Sequence, residues 1–358
     1  MESLSEQIKT NQTLESDLDV YINSAHNIHL GSNHIKDEGV KHIASALMSN
    51  MSVQGIHLGN NNIGPKGAKY IAGALMSNTS VQGIHLGTNN IGDEGAKHIA
   101  NALRYNRNTS LREIDLGTNG IGPEGAKHIA SALMSNTSVR GINFGRNQIG
   151  PEGVKYIARS LRSNASIHKI NLKFNRIRNE GAKYIASALM NNTSVREINL
   201  WGNQIGDKGI KYIASALRHN RNTYVRKINL GYNHIRNEGA KHIASALRSN
   251  RNTSVQEINL GWNQIRNEGA KYIANALMSN TSVQVVNLGC NQIRNEGVNY
   301  IVKAMKINPY ISIPLDKYSA NLFVRLHMTR KTKRMGQKIL NDICTSRLLT
   351  KINKIVKF

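Results

Sequence analysis

The sequence predicts an α/β solenoid made by stacking copies of one strand–helix unit. Three observations carry this expectation. A Leu-Gly-x-Asn-x-Ile phrase, substituted in places at its first two residues, recurs ten times at a spacing of 28 or 30. Its asparagines are Asn33, Asn61, Asn89, Asn119, Asn147, Asn175, Asn203, Asn233, Asn263 and Asn291. Within each copy the apolar period changes from two to 3.6. A lone strand and helix cannot cover their own apolar side, whereas stacked copies share a continuous core.

The elements follow in order. In "VQEINLGWN", Val255, Ile258 and Leu260 point inward while Glu257, Asn259 and Gly261 alternate outward, which predicts a short strand. The recurring asparagine suits a buried turn, where its amide satisfies backbone groups left over by the bend. Ala270, Ile273, Ala274 and Leu277 then fall at i, i+3, i+4 and i+7, one stripe of an amphipathic helix. Glu268 suits the positive start of such a helix, and Arg104, Arg218 and Arg248 suit the negative end. Triplets such as Asn78-Thr79-Ser80 match a glycosylation sequon but read better as a helix-ending Asn in the left-handed conformation. A helix column of His42, Tyr70, His98, His128, Tyr156, Tyr184, Tyr212, His242, Tyr272 and Tyr300 is expected to pack between adjacent helices with its polar tips wet. The lysine before it, as at Lys69 and Lys241, is expected to form a solvated basic stripe. The longer copies insert an Arg-Asn pair, as in "RYNRNTS" and "RHNRNTY".

The phrase "VQGIHLGNNNI" (53–63) followed by "GPKGAKYIAGAL" (64–75) resembles the leucine-rich repeat family, specifically its ribonuclease-inhibitor-like class. That class includes ribonuclease inhibitors, the Ran GTPase-activating protein and the sensor arrays of NOD-like receptors. The resemblance implies a horseshoe with a concave parallel β-sheet and convex α-helices, and a binding surface on the concave face. It names no partner. Residues 25–310 hold the ten repeats, 1–24 are assigned as an N-terminal cap or tail, and 311–358 as a basic C-terminal helical cap or tail.

Columns facing the sheet side are the candidates for function. One runs His29, His57, His85, Asp115, then Asn143, Asn171, Asn199, Asn229, Asn259 and Asn287. His29, His57 and His85 are the sequence's only candidates for zinc, but parallel side chains converge poorly, and a hydrogen-bonded polar ladder is the better reading. No metal or other cofactor is assigned. The pair closing each strand runs from Gly31-Ser32 to Gly145-Arg146, then changes to Lys173-Phe174, Trp201-Gly202, Gly231-Tyr232 and Gly261-Trp262 before Gly289-Cys290. Four consecutive copies thus carry one aromatic each, in a chain that is only 5% aromatic. Binding hot spots favour Trp, Tyr and Arg. The candidate partner-binding residues are therefore Phe174, Trp201, Tyr232 and Trp262 with Lys173, Arg196, Arg226 and Lys227. Lys169, Glu197 and Glu257 lie among them.

Charge bounds the partner. The 358 residues carry 47 Lys+Arg against 22 Asp+Glu, a net +25, which favours an acidic protein or nucleic acid. Residues 311–358 alone hold eleven Lys/Arg and two Asp, including "TRKTKR" (329–334). Their "KILNDICTSRLLTKINKIVKF" has apolar residues near helical spacing, which suits an array cap or peripheral contact with an anionic membrane. Two cysteines are too few for a secreted disulfide framework. The acidic first twenty residues do not fit a signal peptide, and no apolar run spans a bilayer. These features place the protein in the cytoplasm or elsewhere inside a cell, the host's if the source is a pathogen. No nucleophile–base signature or phosphate-cradling loop is present. The expected function is a non-enzymatic protein-interaction scaffold, the alternatives being charge-driven nucleic-acid binding and regulation of a small GTPase. The chain departs from Ran GTPase-activating proteins in its basic tail, and from the acidic, cysteine-rich ribonuclease inhibitors in both charge and cysteine content.

Overall fold

The computed structural model describes residues 20–22, 24–105, 110–219, 224–248 and 254–315. The chain falls into two compact units, one of Met1–Ile177 with Asn191–Val195, the other of Arg178–Met190 with Arg196–Phe358. The first unit contains strands β1 (Asn27–His29), β2 (Gly55–His57), β3 (Gly83–His85), β4 (Glu113–Asp115), β5 (Gly141–Asn143) and β6 (Lys169–Asn171). Between them run helices α1 (Lys36–Ser49), α2 (Pro65–Ser77), α3 (Gly92–Tyr105), α4 (Pro123–Leu133) and α5 (Gly150–Ser163). The second contains α6 (Arg178–Leu189), β7 (Glu197–Asn199), α7 (Asp207–His219), β8 (Lys227–Asn229), α8 (Asn237–Arg248), β9 (Glu257–Asn259), α9 (Asn267–Leu277), β10 (Val285–Asn287) and α10 (Asn295–Ile307).

Strands pair in parallel and in chain order within each unit, and the register places equivalent residues side by side. Ile28 faces Ile56, which faces Ile84; likewise Ile198, Ile228 and Ile258 align. This is the α/β repeat architecture the sequence predicts. The inward positions are buried as expected, among them Val255, Ile258 and Leu260, and so is the helix stripe of Ala270, Ile273, Ala274 and Leu277. Each strand is only three residues long. The ladder does not stop there, since Leu260 N donates to Asn287 O (2.9 Å) and Trp262 N to Gly289 O (2.9 Å). The chain bends because the residue at Trp262 and its equivalents is left-handed.

The recurring asparagine does what the turn requires, and it works between copies. Asn61 Oδ1 accepts from Asn33 N (2.8 Å), and its Nδ2 donates to Leu30 O (2.7 Å). Asn89 serves Asn61 N (2.9 Å) and Ile63 N (3.0 Å) in the same way. The helix-ending asparagines form a second ladder, but not in the expected conformation. Asn50, Asn78 and Asn164 are extended, with φ between −83° and −76°. Asn78 Nδ2 donates back to Leu47 O (2.9 Å) and Asn50 O (2.7 Å), while its Oδ1 accepts from Ser80 N and Val81 N (both 2.9 Å). An amide satisfied on four sides removes the need for a left-handed exit, and its burial leaves no face for a glycan.

Helix starts are also fastened by the preceding copy. Asp93 Oδ1 accepts from Gly122 N (2.6 Å) and Gly125 N (3.0 Å), so one carboxylate caps the next helix. Asp207 does the same for Arg236 N (2.7 Å) and Gly239 N (2.9 Å), and Asn237 for Arg266 N (2.9 Å) and Gly269 N (3.1 Å). Where the cap slot holds proline, as at Pro65 and Pro123, no such acceptor exists. The next helix then enters through a left-handed residue: Gly92 (φ 59°), Gly150 (φ 61°) or, after Pro151, Arg178 (φ 61°). We expect Asp93→Ala to cost about 1–2 kcal/mol and to speed hydrogen exchange at Gly122 and Gly125. Unchanged exchange at those two amides would show that the cap is dispensable.

The ends of the array are covered differently. Tyr21 Oη accepts from His29 N (3.3 Å), and buried Ile22 offers its carbonyl to Asn50 Nδ2 (3.2 Å). Residues 311–315 are extended rather than helical: Ser312 N donates to Gln284 O (2.8 Å), and Val286 N to Ser312 O (3.0 Å). The expected amphipathic helix, the "TRKTKR" cluster, the Arg-Asn insertions and residues 1–19 lie outside the described residues. Among the described residues, no helix is long and apolar enough to cross a membrane.

Candidate functional site

Two residues close each strand, and they set the chemistry of the strand face. The second of the pair is left-handed in every copy: Ser32, Asn60, Thr88, Thr118, Arg146, Phe174, Gly202, Tyr232, Trp262 and Cys290 all have φ between 52° and 68°. The aromatics that form one strip in the sequence therefore divide. Phe174, Tyr232 and Trp262 occupy the left-handed slot, whereas Trp201 takes the slot before it and Gly202 makes the turn. A bulky residue in this conformation is strained by roughly 1–2 kcal/mol. Trp262→Asn, which installs the residue of the second copy, is expected to leave stability unchanged or raise it by about 1 kcal/mol. A clear loss in denaturant midpoint would mark Trp262 as framework.

In the second unit the structure brings three of the aromatics together. The Trp201 ring lies over Gly231, where an added Cβ would come within 2.2 Å of Cε3 and Cζ3. That glycine is needed for the close approach. Trp201 stacks nearly parallel to Tyr232 (centroids 6.1 Å apart, 12° between planes), and Trp262 tilts against Tyr232 (6.3 Å, 52°). Tyr232 and Trp262 remain 53% and 55% exposed, which leaves large apolar faces open on a rigid backbone. Arg196 and Arg226 are exposed at the strand starts. Lys227 is not a free cation, because its Nζ lies 2.8 Å from Glu257 Oε1.

Phe174 and Lys173 belong to the first unit. The Arg146 guanidinium sits 4.7 Å from the centre of the Phe174 ring. Lys173 lies across Gly145; burial pushes its ammonium below the usual lysine pKa, the neighbouring Arg146 charge adds to the shift, and Asp115 opposes it. Arg146 was legible in the sequence only as an odd residue in its column, since nothing local signals that it would stack on the next copy.

The polar row is more than a side-chain ladder. Asn199, Asn229, Asn259 and Asn287 each accept, through Oδ1, the N–H two residues on, at 2.9–3.1 Å. Asp115 does likewise for Gly117 (2.8 Å) and also accepts Asn143 Nδ2 (2.8 Å). Asn171 and Asn229 are buried with no acceptor for Nδ2. His29, His57 and His85 stack face to face at 4.5 and 4.3 Å, so their nitrogens run parallel instead of converging. His57 is held below the usual histidine pKa by burial first, then by His85 and His29. Among the described residues, no three His, Cys, Asp or Glu side chains are grouped to hold a metal ion.

On the helix side the lysine stripe is exposed, as at Lys69, Lys183, Lys241 and Lys271. Lys127, Lys183, Lys241 and Lys271 reach over Tyr156, Tyr212, Tyr272 and Tyr300 of the following copy at 5.1–5.9 Å from the ring centres. Several also meet a glutamate one turn back, as in Lys127–Glu124 (2.9 Å) and Lys241–Glu238 (3.5 Å). These glutamates offset part of the stripe's charge, as do Glu94 and Glu152 beside Lys97 and Lys155.

A family model described as Leucine Rich repeat matches residues 27–44, 49–72, 77–100, 107–130, 135–158, 163–186, 191–214, 221–244, 251–274 and 279–302. No curated protein matches the sequence. Solved structures similar to the chain include yeast Rad7 in its complex with Elc1, at 12% identity and a TM-score of 0.48, covering 91% of this chain and 85% of that one. An internalin from Listeria monocytogenes aligns at 14% identity and a TM-score of 0.44, covering 87% and 92%. Leiomodin-1 actin-binding site 2 aligns at 18% identity and a TM-score of 0.32, covering 53% and 87%.

Proposed function

The chain belongs to the leucine-rich repeat family, and from that premise we propose that it is a non-enzymatic scaffold whose strand face binds an acidic protein partner. Leucine-rich repeats generally mediate protein–protein interaction. The repeat of short strand and full helix is the pattern of the ribonuclease-inhibitor-like class, in which the strand face is concave. The observation that carries the reading is the cluster of Trp201, Tyr232 and Trp262, of which Tyr232 and Trp262 are half open to solvent, on a backbone locked by buried asparagines. A preorganised surface loses little entropy when a partner docks, so its aromatic faces convert into affinity efficiently. Arg196 and Arg226, exposed at the starts of the same strands, steer an acidic surface into place. Charge-driven nucleic-acid binding is the second reading; the net +25 favours it, with the aromatics stacking on bases.

The test uses residues the array itself supplies. Trp201→Gly, Tyr232→Asn and Trp262→Asn restore what other copies carry in those slots, so the variant keeps its fold. Affinity capture from nuclease-treated lysate should retain a discrete protein with the wild type and lose it with the variant. Binding that vanishes with nuclease, and is indifferent to the variant, sinks the scaffold reading.

A further inference from the structure

On the strand face of the first unit, the fifth and sixth copies depart from the array together. Lys173 stands where eight of the ten copies carry glycine, and Arg146 and Phe174 stand where the first four carry Ser, Asn or Thr. The fifth copy keeps Gly145, and Lys173 fills the space this leaves, with Cγ and Cε 2.8 and 3.0 Å from where a Cβ would sit. The central carbon of the Arg146 guanidinium lies 4.7 Å from the centre of the Phe174 ring, and its five N–H donors suit an oxyanion. Arg146 makes no ion pair among the described residues. Two cations are thus packed side by side on neighbouring copies.

Beside them lies a donor with nothing to donate to. Asn171 is 5% exposed; its Oδ1 accepts Lys173 N (3.0 Å), and its Nδ2 is buried without an acceptor. Its cross-strand neighbour Asn143 already gives Nδ2 to Asp115 (2.8 Å) and accepts Gly145 N (2.8 Å). Asp115 in turn accepts both Asn143 Nδ2 and Gly117 N. Asn171 Nδ2 is thus a buried donor without an acceptor beside amides that are already engaged, and leaving a buried N–H unpaired costs about 1–3 kcal/mol.

We propose that Arg146, Asn171 and Lys173 form a binding site for an anionic oxygen group, a carboxylate or a phosphate. One oxygen takes the Asn171 Nδ2 hydrogen. The guanidinium edge and the Lys173 ammonium supply charge-assisted bonds to the others, and the Phe174 ring walls one side. An anion between the two cations relieves their repulsion and favours the charged form of Lys173, so binding draws in protons at alkaline pH. The site lies in the first unit and does not depend on the aromatic cluster of the second.

The experiment is a titration of the full chain with inorganic phosphate and, separately, acetate, followed by phosphoserine and glutamate peptides. The side-chain amide resonance of Asn171 and a fluorine label on phenylalanine, of which the chain has four, report the site. The comparison protein is Arg146→Thr with Lys173→Gly, which restores the residues of the fourth copy and so keeps the fold. The Asn171 amide should shift saturably in the wild type, with affinity at least about tenfold weaker in the variant. A response to phosphate alone assigns a phosphoryl ligand, and one to both anions assigns any acidic group. No saturable shift at Asn171 with either anion, or an equal shift in the variant, overturns the proposal.

Discussion

Asn233→Ala is expected to lower the unfolding free energy of its repeats by about 3–5 kcal/mol, because it removes several buried hydrogen bonds and leaves their partners unpaired. Asn233 Oδ1 accepts from Asn203 N (3.0 Å) and Ile205 N (2.9 Å). Its Nδ2 donates to Leu200 O, Leu230 O and Gly231 O, each at 3.0 Å. Five backbone groups from two copies therefore converge on one amide that is 5% exposed. Water cannot replace it without opening the turn. Stability in an array is nearly local, so hydrogen exchange at Asn203 and Ile205 is a sharper readout than a global melt. Exposed Gln204, between them, is the control: its replacement by alanine should stay within about 0.5 kcal/mol. A cost for Asn233→Ala below about 1 kcal/mol would mean that the turns are held by backbone pairing alone.

The second large effect concerns binding. Removing Trp201, Tyr232 and Trp262 together is expected to weaken partner affinity at least about a hundredfold, since a single aromatic hot spot contributes about 2 kcal/mol or more. The three rings touch one another in sequence, so their losses will not add. Charge and aromatics separate in kinetics: Arg196→Ala with Arg226→Ala should slow association and reduce its salt dependence, whereas the aromatic variant should speed dissociation. Surface plasmon resonance against the captured partner reads both. A steep fall in affinity with salt, together with indifference to the aromatic variant, would instead point to phosphate-backbone binding.

The physical origin of the two effects differs, and so does how far each was visible beforehand. Asn233 is legible because its role repeats: ten equivalent asparagines in one slot announce a shared backbone problem, and a turn with unpaired groups is the natural one. The core positions were legible for the same reason, as Val255, Ile258, Leu260 and the alanine-rich helix stripe show. The helix-ending asparagines misled, because a lone helix end favours a left-handed exit. Here a neighbouring copy offers the carbonyls of Leu47 and Asn50 to Asn78, and an extended exit satisfies everything. The lysine stripe is exposed as its position suggests, but its ring partners were not legible because they sit one copy further along.

By itself the sequence determined the unit, its period, the inward residues and the slots in which copies differ, because these are properties of one strand and helix repeated. Tertiary structure decided whatever depends on a neighbour at a given register. It put Trp262 and Phe174 in the left-handed slot and Trp201 outside it, laid Trp201 on Gly231, and set Arg146 on Phe174. Pairing residues 28 or 30 apart costs chain entropy that only the stacked register repays, and no window of sequence shorter than two copies contains that information.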